Sequence, residues 1–355
     1  MTARREPVNS LGAPARVGAH RDHRDLRRQR DRRGLAARLD TFQRRHPAAA
    51  FPLAVAYKYF DDFGPYLAAL LTYYAFVSLF PLLLLLSTIL GYALKGDPQL
   101  QHDILRSALG QFPVIGGQLH DPRRLGGGPA GLTIGVLGAL YGSLGVAQAV
   151  QYSMNTAWSV PRNNRPNPFR ARGRSLLLVG TAGLALLGTT AMSAIGAANV
   201  GQFGALLRIA AVMASILVNA VVFTLGFRLG TARRLSMRDV LPGAVIAAMA
   251  WQSLQLFGVP YVTSVIRHAS ATNGVFALVL GLLAFLYLAA VVIVLCVEIN
   301  VVRVDRLYPR ALLTPFTDNV QLTGSDRRAY RKQAKAQRAK GFQQIDVRFE
   351  DRPGE

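Results

Sequence analysis

Glu298 is the only acidic residue inside any of the long apolar runs of this 355-residue chain. An ionisable group in hydrocarbon is costly unless it pairs, faces water or takes part in function. If the runs are helices of alternating direction, they bring Tyr73, Tyr74, Gln148, Gln151, Tyr152, Asn155 and Asn300 to a similar depth, with Gln252 and Gln255 deeper. Tyr141, Gly145, Gln148, Tyr152 and Asn155 recur at steps of three and four, one stripe of a helix expected to face its neighbours. Such a layer can line a cavity that binds a cationic substrate group or a proton. It can equally do no more than hold helices together, through interhelical hydrogen bonds of about 0.6 kcal/mol each. Two readings stand for Glu298: an interfacial charge paired with an arginine such as Arg172 or Arg303, or part of the mouth of a cytoplasm-facing cavity with Asn300, Tyr74, Gln151 and Asn155.

Hydrolytic chemistry has no comparable constellation. The six histidines are His20, His23, His46, His102, His120 and His268, and none forms a pair at metal-ligand spacing. There is no G-x-S-x-G, no P-loop and no dinucleotide fingerprint. No catalytic residue, metal or cofactor is expected, and the chain reads as a non-enzyme.

The elements that must position the polar layer are apolar runs long enough to cross a bilayer, for which about 20 residues suffice in a helix. Six spans are expected, at about 67–94, 131–154, 176–199, 207–227, 240–262 and 274–302. Pro81 in the first should kink it and free the carbonyl of Val77. Ala182, Leu186, Thr189, Ser193 and Ala197 give the third a small-residue seam for close packing. Of the 41 Lys and Arg, 35 fall in the tails and in the loops at 155–175 and 228–239, leaving Lys95, Arg106, Arg123, Arg124, Arg208 and Arg267 on the other side. The positive-inside rule then places both termini in the cytoplasm. The formal net charge of +22 is thereby assigned to topology before nucleic acid. Cys296 is the only cysteine, so no intrachain disulfide forms.

Residues 1–48, with "RDHRDLRRQRDRR" at 21–33, are expected to be a disordered Arg-rich arm. In "FPLAVAYKYFDDFGPY", Phe51, Val55, Tyr59 and Asp62 follow helical spacing, which suggests an interfacial helix before the first span. The membrane domain covers 49–312. The basic tail, 313–355, contains "SDRRAYRKQAKAQRAK", a strong helix former expected to be solvated or bound to lipid headgroups. The expected partners are the bilayer and its anionic headgroups at the tails, with no specific nucleic acid; self-association stays open.

"LTYYAFVSLFPLLLLLSTILGYAL" at 71–94, "NTAWSVPRNNRPNPFRARGRSLLL" at 155–178 and the "VEIN" segment at 297–300 with its flanks together resemble the YihY/BrkB family of bacterial inner-membrane proteins. The likeness spans roughly 50–312. Val297 stands where that family often has alanine or glycine. The resemblance implies an all-α, six-helix integral membrane protein of the bacterial inner membrane, with export or lipid-related transport as its expected activity. It also carries an old ribonuclease BN label, which conflicts with the missing metal ligands and acid–base pairs. The expected function is transport or export of a lipid-related or small amphiphilic substrate. The alternative is a membrane scaffold whose basic tails bind anionic lipid or partners.

Overall fold

The computed structural model describes residues 38–93, 128–167, 169–178, 180–181, 204–258, 274–317 and 320–350. Among them the regular structure is all helical. Helix α1 covers residues 38–45, α2 Pro47–Asp61, α3 Gly64–Ala93, α4 Gly128–Ala157, α5 residues 169–178, α6 Gly204–Gly230, α7 Met237–Ser253, α8 Gly274–Val304 and α9 Gly324–Ala336. A 3₁₀ turn at Arg162–Asn164 follows α4, and α7 runs on into a π-turn at Leu254–Gly258.

Three helical stretches among the described residues are long and apolar enough to cross a membrane: Ile209–Gly230, Met237–Gly258 and Val279–Val304. Large apolar side chains on their outer faces, such as Met213, Leu217, Met249, Leu280 and Leu288, are exposed from the protein. On a monomer such a belt is what lipid covers. The expected third span enters the described residues only at its start, so its small-residue seam lies outside them. So does the loop at 95–127. Helix α3 continues through Pro81.

Helix α8 sits centrally and packs against α2, α3, α4 and α7. The tightest part of the molecule is the end where α4 and α8 finish and α7 begins. There Val55 of α2, Met154 and Ala157 of α4, Phe227 of α6, Val240 and Ala244 of α7, Val297 and Val301 of α8 and Ala329 of α9 form one buried cluster. Close approach of α3 and α4 depends on glycine. A Cβ on Gly142 would lie 2.6 Å from Ser78 Cα, and one on Gly145 would strike the Tyr74 ring.

Two expectations change at this end. The last residues of the N-terminal arm are helical: α1 docks through Asp40, which accepts from the Leu312 N–H at 2.9 Å, and through Gln43. The tail helix α9 is not solvated all round. Thr323 and Asp326 form a capping box at its start, and Ser325, Asp326 and Ala329 are buried against the body. Its polar sequence hid a docking face made of a carboxylate and small residues rather than of large apolar ones.

Candidate functional site

Asn300 is placed by a break in its neighbour. Pro242 of α7 has no N–H to give the Arg238 carbonyl, and α8 meets the deficit from outside. Arg303 donates to the carbonyls of Arg238 at 2.5 Å and Asp239 at 3.1 Å. Asn300 donates to the Val240 carbonyl at 3.0 Å and accepts from the Gly243 N–H at 2.8 Å. Gly243 is required here, because a Cβ would lie 2.2 Å from the Cys296 carbonyl oxygen. Asn300 and Arg303 are thus a graft that completes α7.

The other expected site residues divide in the same physical terms. Gln151 donates to the Ala171 carbonyl at 3.0 Å and to Ser175 Oγ at 2.9 Å, tying α4 to α5. Asn155 Oδ1 accepts from the Ala232 N–H at 2.8 Å, tying α4 to the loop after α6. Tyr74 packs its ring on Gly145 and edge-on to Tyr73. Tyr73 is 61% exposed, Tyr152 50% exposed and Gln148 exposed, so these three point away from the bundle. The stripe of α4 is therefore split. Gly145 and Asn155 face inward, whereas Tyr141, Gln148 and Tyr152 face out, because Gly142, Ala149 and Ser153 occupy the contact face. Gln252 and Gln255 are half-buried farther along α7, about 15 Å beyond Gly243 at 1.5 Å per residue.

Glu298 is fully buried, and its partner is neither Arg172 nor Arg303. Lys58 of α2 brings Nζ to 3.7 Å from Glu298 Oε2. The same ammonium donates to Asp62 and, at 3.0 Å, to the Ala157 carbonyl at the end of α4. Burial alone would lower the Lys58 pKa, but the Glu298 and Asp62 carboxylates outweigh it and hold the group above the usual lysine range. Burial pushes Asp62 above the usual carboxylate range in spite of Lys58. Neither oxygen of Glu298 accepts a hydrogen bond from an N–H donor, and the Asp62 carboxyl lies against it.

Asp61, adjacent in sequence, serves a separate cluster. Arg310, fully buried, donates to Asp61 Oδ2 at 2.5 Å and to Asp326 Oδ1 at 2.7 Å, and lies between the rings of Tyr57 and Tyr330. Lys58, Asp61, Asp62, Arg310 and Asp326 were not singled out as site residues from sequence. The available signal was Lys58 and Asp62 at i, i+4, a spacing that pairs charges on a helix, within an otherwise apolar and aromatic segment.

This arrangement can hold a proton or exchange a cation at Glu298, since the hydrogen bonds of Lys58 go to Asp62 and the Ala157 carbonyl. Comparison with known proteins fits a membrane-embedded body. No solved structure matches this chain. A Bacillus subtilis protein, YfkH, described as ribonuclease-like, is 28% identical over 249 residues, covering 66% of this chain and 87% of its own length. The family model described as virulence factor BrkB matches residues 55–317, which take in Lys58, Asp61, Asp62, Glu298 and Arg310 but not Asp326. The chain is a membrane protein of the BrkB family.

Proposed function

We propose that the protein transports or exports a lipid-related or small amphiphilic substrate, and that Glu298, with Lys58 and Asp62, handles charge during the cycle. The observation that carries this reading is Glu298 itself: fully buried, without an N–H donor, and opposite a lysine at 3.7 Å. A buried carboxylate held by one distant ammonium and no N–H donor costs stability, so its presence argues for use. The ribonuclease-like description of the Bacillus relative is not carried over. The acidic groups gathered by the described residues, Asp62, Glu298 and Asp326, are turned into the protein, out of reach of a polynucleotide.

A scaffold is the second reading. It is favoured by Gln151, Asn155 and Asn300, whose hydrogen bonds are taken up in joining elements. Both readings place the chain in a bacterial cytoplasmic membrane with six spans, both termini inside, and its basic segments against anionic headgroups. Single cysteines in a Cys296→Ser background test the topology. An impermeant thiol reagent should label positions 110, 203 and 268 in intact cells, and positions 170, 234 and 340 only after lysis. Reconstitution tests the activity: vesicles holding the purified protein should move a headgroup-labelled phospholipid between leaflets faster than protein-free vesicles, as read by dithionite bleaching. Rates equal to those of empty vesicles across anionic and zwitterionic lipids would favour the scaffold.

A further inference from the structure

A cavity of about 320 Å³ opens beside the end of α4, lined by Trp158, Val160, Pro161, Asn164, Ala232, Arg233, Lys332 and Lys335. Its chemistry is uneven. Val160, Pro161 and Ala232 contribute apolar lining, and Arg233, Lys332 and Lys335 contribute three cations. Asp305 pairs with two of them, Arg233 at 3.2 Å and Lys332 at 2.7 Å, which leaves the surroundings with two positive charges in excess. Lys335, in the last turn of α9, is exposed and has no partner among the described residues. Trp158 is 3% exposed, the Arg233 guanidinium lies 5.1 Å over its ring, and its indole N–H has no acceptor.

We infer that this cavity is a binding site for a phosphate ester, whose anionic oxygens would take the Lys335 ammonium beside Arg233 and Lys332 while its organic part lies along Val160 and Pro161. A phosphate group suits the donor set because it offers several strong acceptors to groups arriving from different directions. The cavity is wider than a bare anion needs. It sits where α4 leaves its apolar run, so the ester is either a phospholipid headgroup or a soluble phosphate ester reaching the same face. The inference deepens the lipid-surface reading of the basic segments. That reading can hold by diffuse charge without this pocket, and the transport reading does not depend on it.

The chain has two tryptophans, so a Trp251→Phe protein in neutral detergent leaves Trp158 as the reporter. The probes are dihexanoyl-phosphatidylglycerol, dihexanoyl-phosphatidylcholine and glycerol 3-phosphate. Saturable change in Trp158 emission is expected with phosphatidylglycerol, weakened about tenfold by Lys335→Gln and unchanged by Lys340→Gln, which removes the same charge from an exposed position. Saturation by glycerol 3-phosphate at similar concentration, with the same dependence on Lys335, would assign the site to a soluble ester. No saturable response, or equal weakening by both substitutions, would overturn the pocket while leaving diffuse lipid attraction standing. Native mass spectrometry of the unsubstituted chain repeats the comparison without the Trp251 change, and equal lipid retention by the wild type and Lys335→Gln would also overturn it.

Discussion

Two buried charge clusters lie side by side on α2, and each holds one more acid than base. In the Arg310 cluster, Asp326 accepts from Arg310 at 2.7 Å, from the Ala311 N–H at 3.0 Å and from the Thr323 N–H at 2.9 Å. Asp61 is partly exposed to solvent, and Gln43 donates to the Arg310 carbonyl at 2.5 Å. In the Lys58 cluster, Asp62 is bonded to Lys58, but Glu298 has a lysine at 3.7 Å and the Asp62 carboxyl beside it, with no N–H donor. Excess negative charge is common to both, so it does not separate them. Hydrogen bonding does. A carboxylate whose lone pairs are taken by backbone N–H groups and a guanidinium is spent on architecture. One left without such donors in a dry site is available to bind something.

The largest effect should come from breaking the Arg310 cluster. Arg310→Leu leaves Asp61 and Asp326 without their cation and removes the guanidinium that links α2 to α9, at a cost of about 3–5 kcal/mol. Thermal unfolding in detergent should show the loss, and limited proteolysis should remove the region after 317. Lys58→Met should destabilise somewhat less, by about 3 kcal/mol, because Glu298 can take up a proton. Adding Glu298→Gln should restore much of that stability. A double variant no more stable than Lys58→Met alone would mean that the two groups do not interact.

Next comes the graft at Pro242. Asn300→Leu orphans the Gly243 N–H and the Val240 carbonyl, and should cost about 2 kcal/mol in thermal or denaturant unfolding. Asn300→Asp keeps the acceptor for Gly243 and should retain part of it. The smallest effect is at the start of α7, where Asp239 accepts from the Ser236 N–H at 2.8 Å. That bond holds the carboxyl below its ordinary value of 3.8. A depressed folded-state value stabilises at neutral pH and is lost as pH falls through it. Asp239→Asn should therefore cost about 1 kcal/mol at pH 7, and the difference from wild type should shrink below pH 4.

These comparisons also mark what the sequence made legible. Apolar runs bounded by arginines gave five helices to within a few residues, as at 274–302 against Gly274–Val304, while most of the run at 176–199 lies outside the described residues. Glu298 stood out because acids are rare in such runs. Its partner did not, since Lys58 lies in a short segment whose aromatics and charges read as interfacial, and nothing local shows that α2 tucks under α8. Asn300 was legible as a polar residue but not as the partner of the Val240 carbonyl and the Gly243 N–H on α7, a role set by close contact between helices distant in sequence. The outward-facing Gln148 and Tyr152 show the limit of a periodic stripe. Spacing says which residues share a face, and packing decides which face is buried.

The contrast between the clusters rests most directly on Glu298→Gln, measured for stability and for phospholipid movement in the same preparation of reconstituted protein. The amide keeps the shape and removes the charge, so the account predicts a midpoint of unfolding at or above that of the wild type, together with loss of most of the protein-dependent bleaching rate. A variant that moves lipid at the wild-type rate, or one destabilised as severely as Arg310→Leu, would contradict the assignment of Glu298 to function and of Arg310 to architecture.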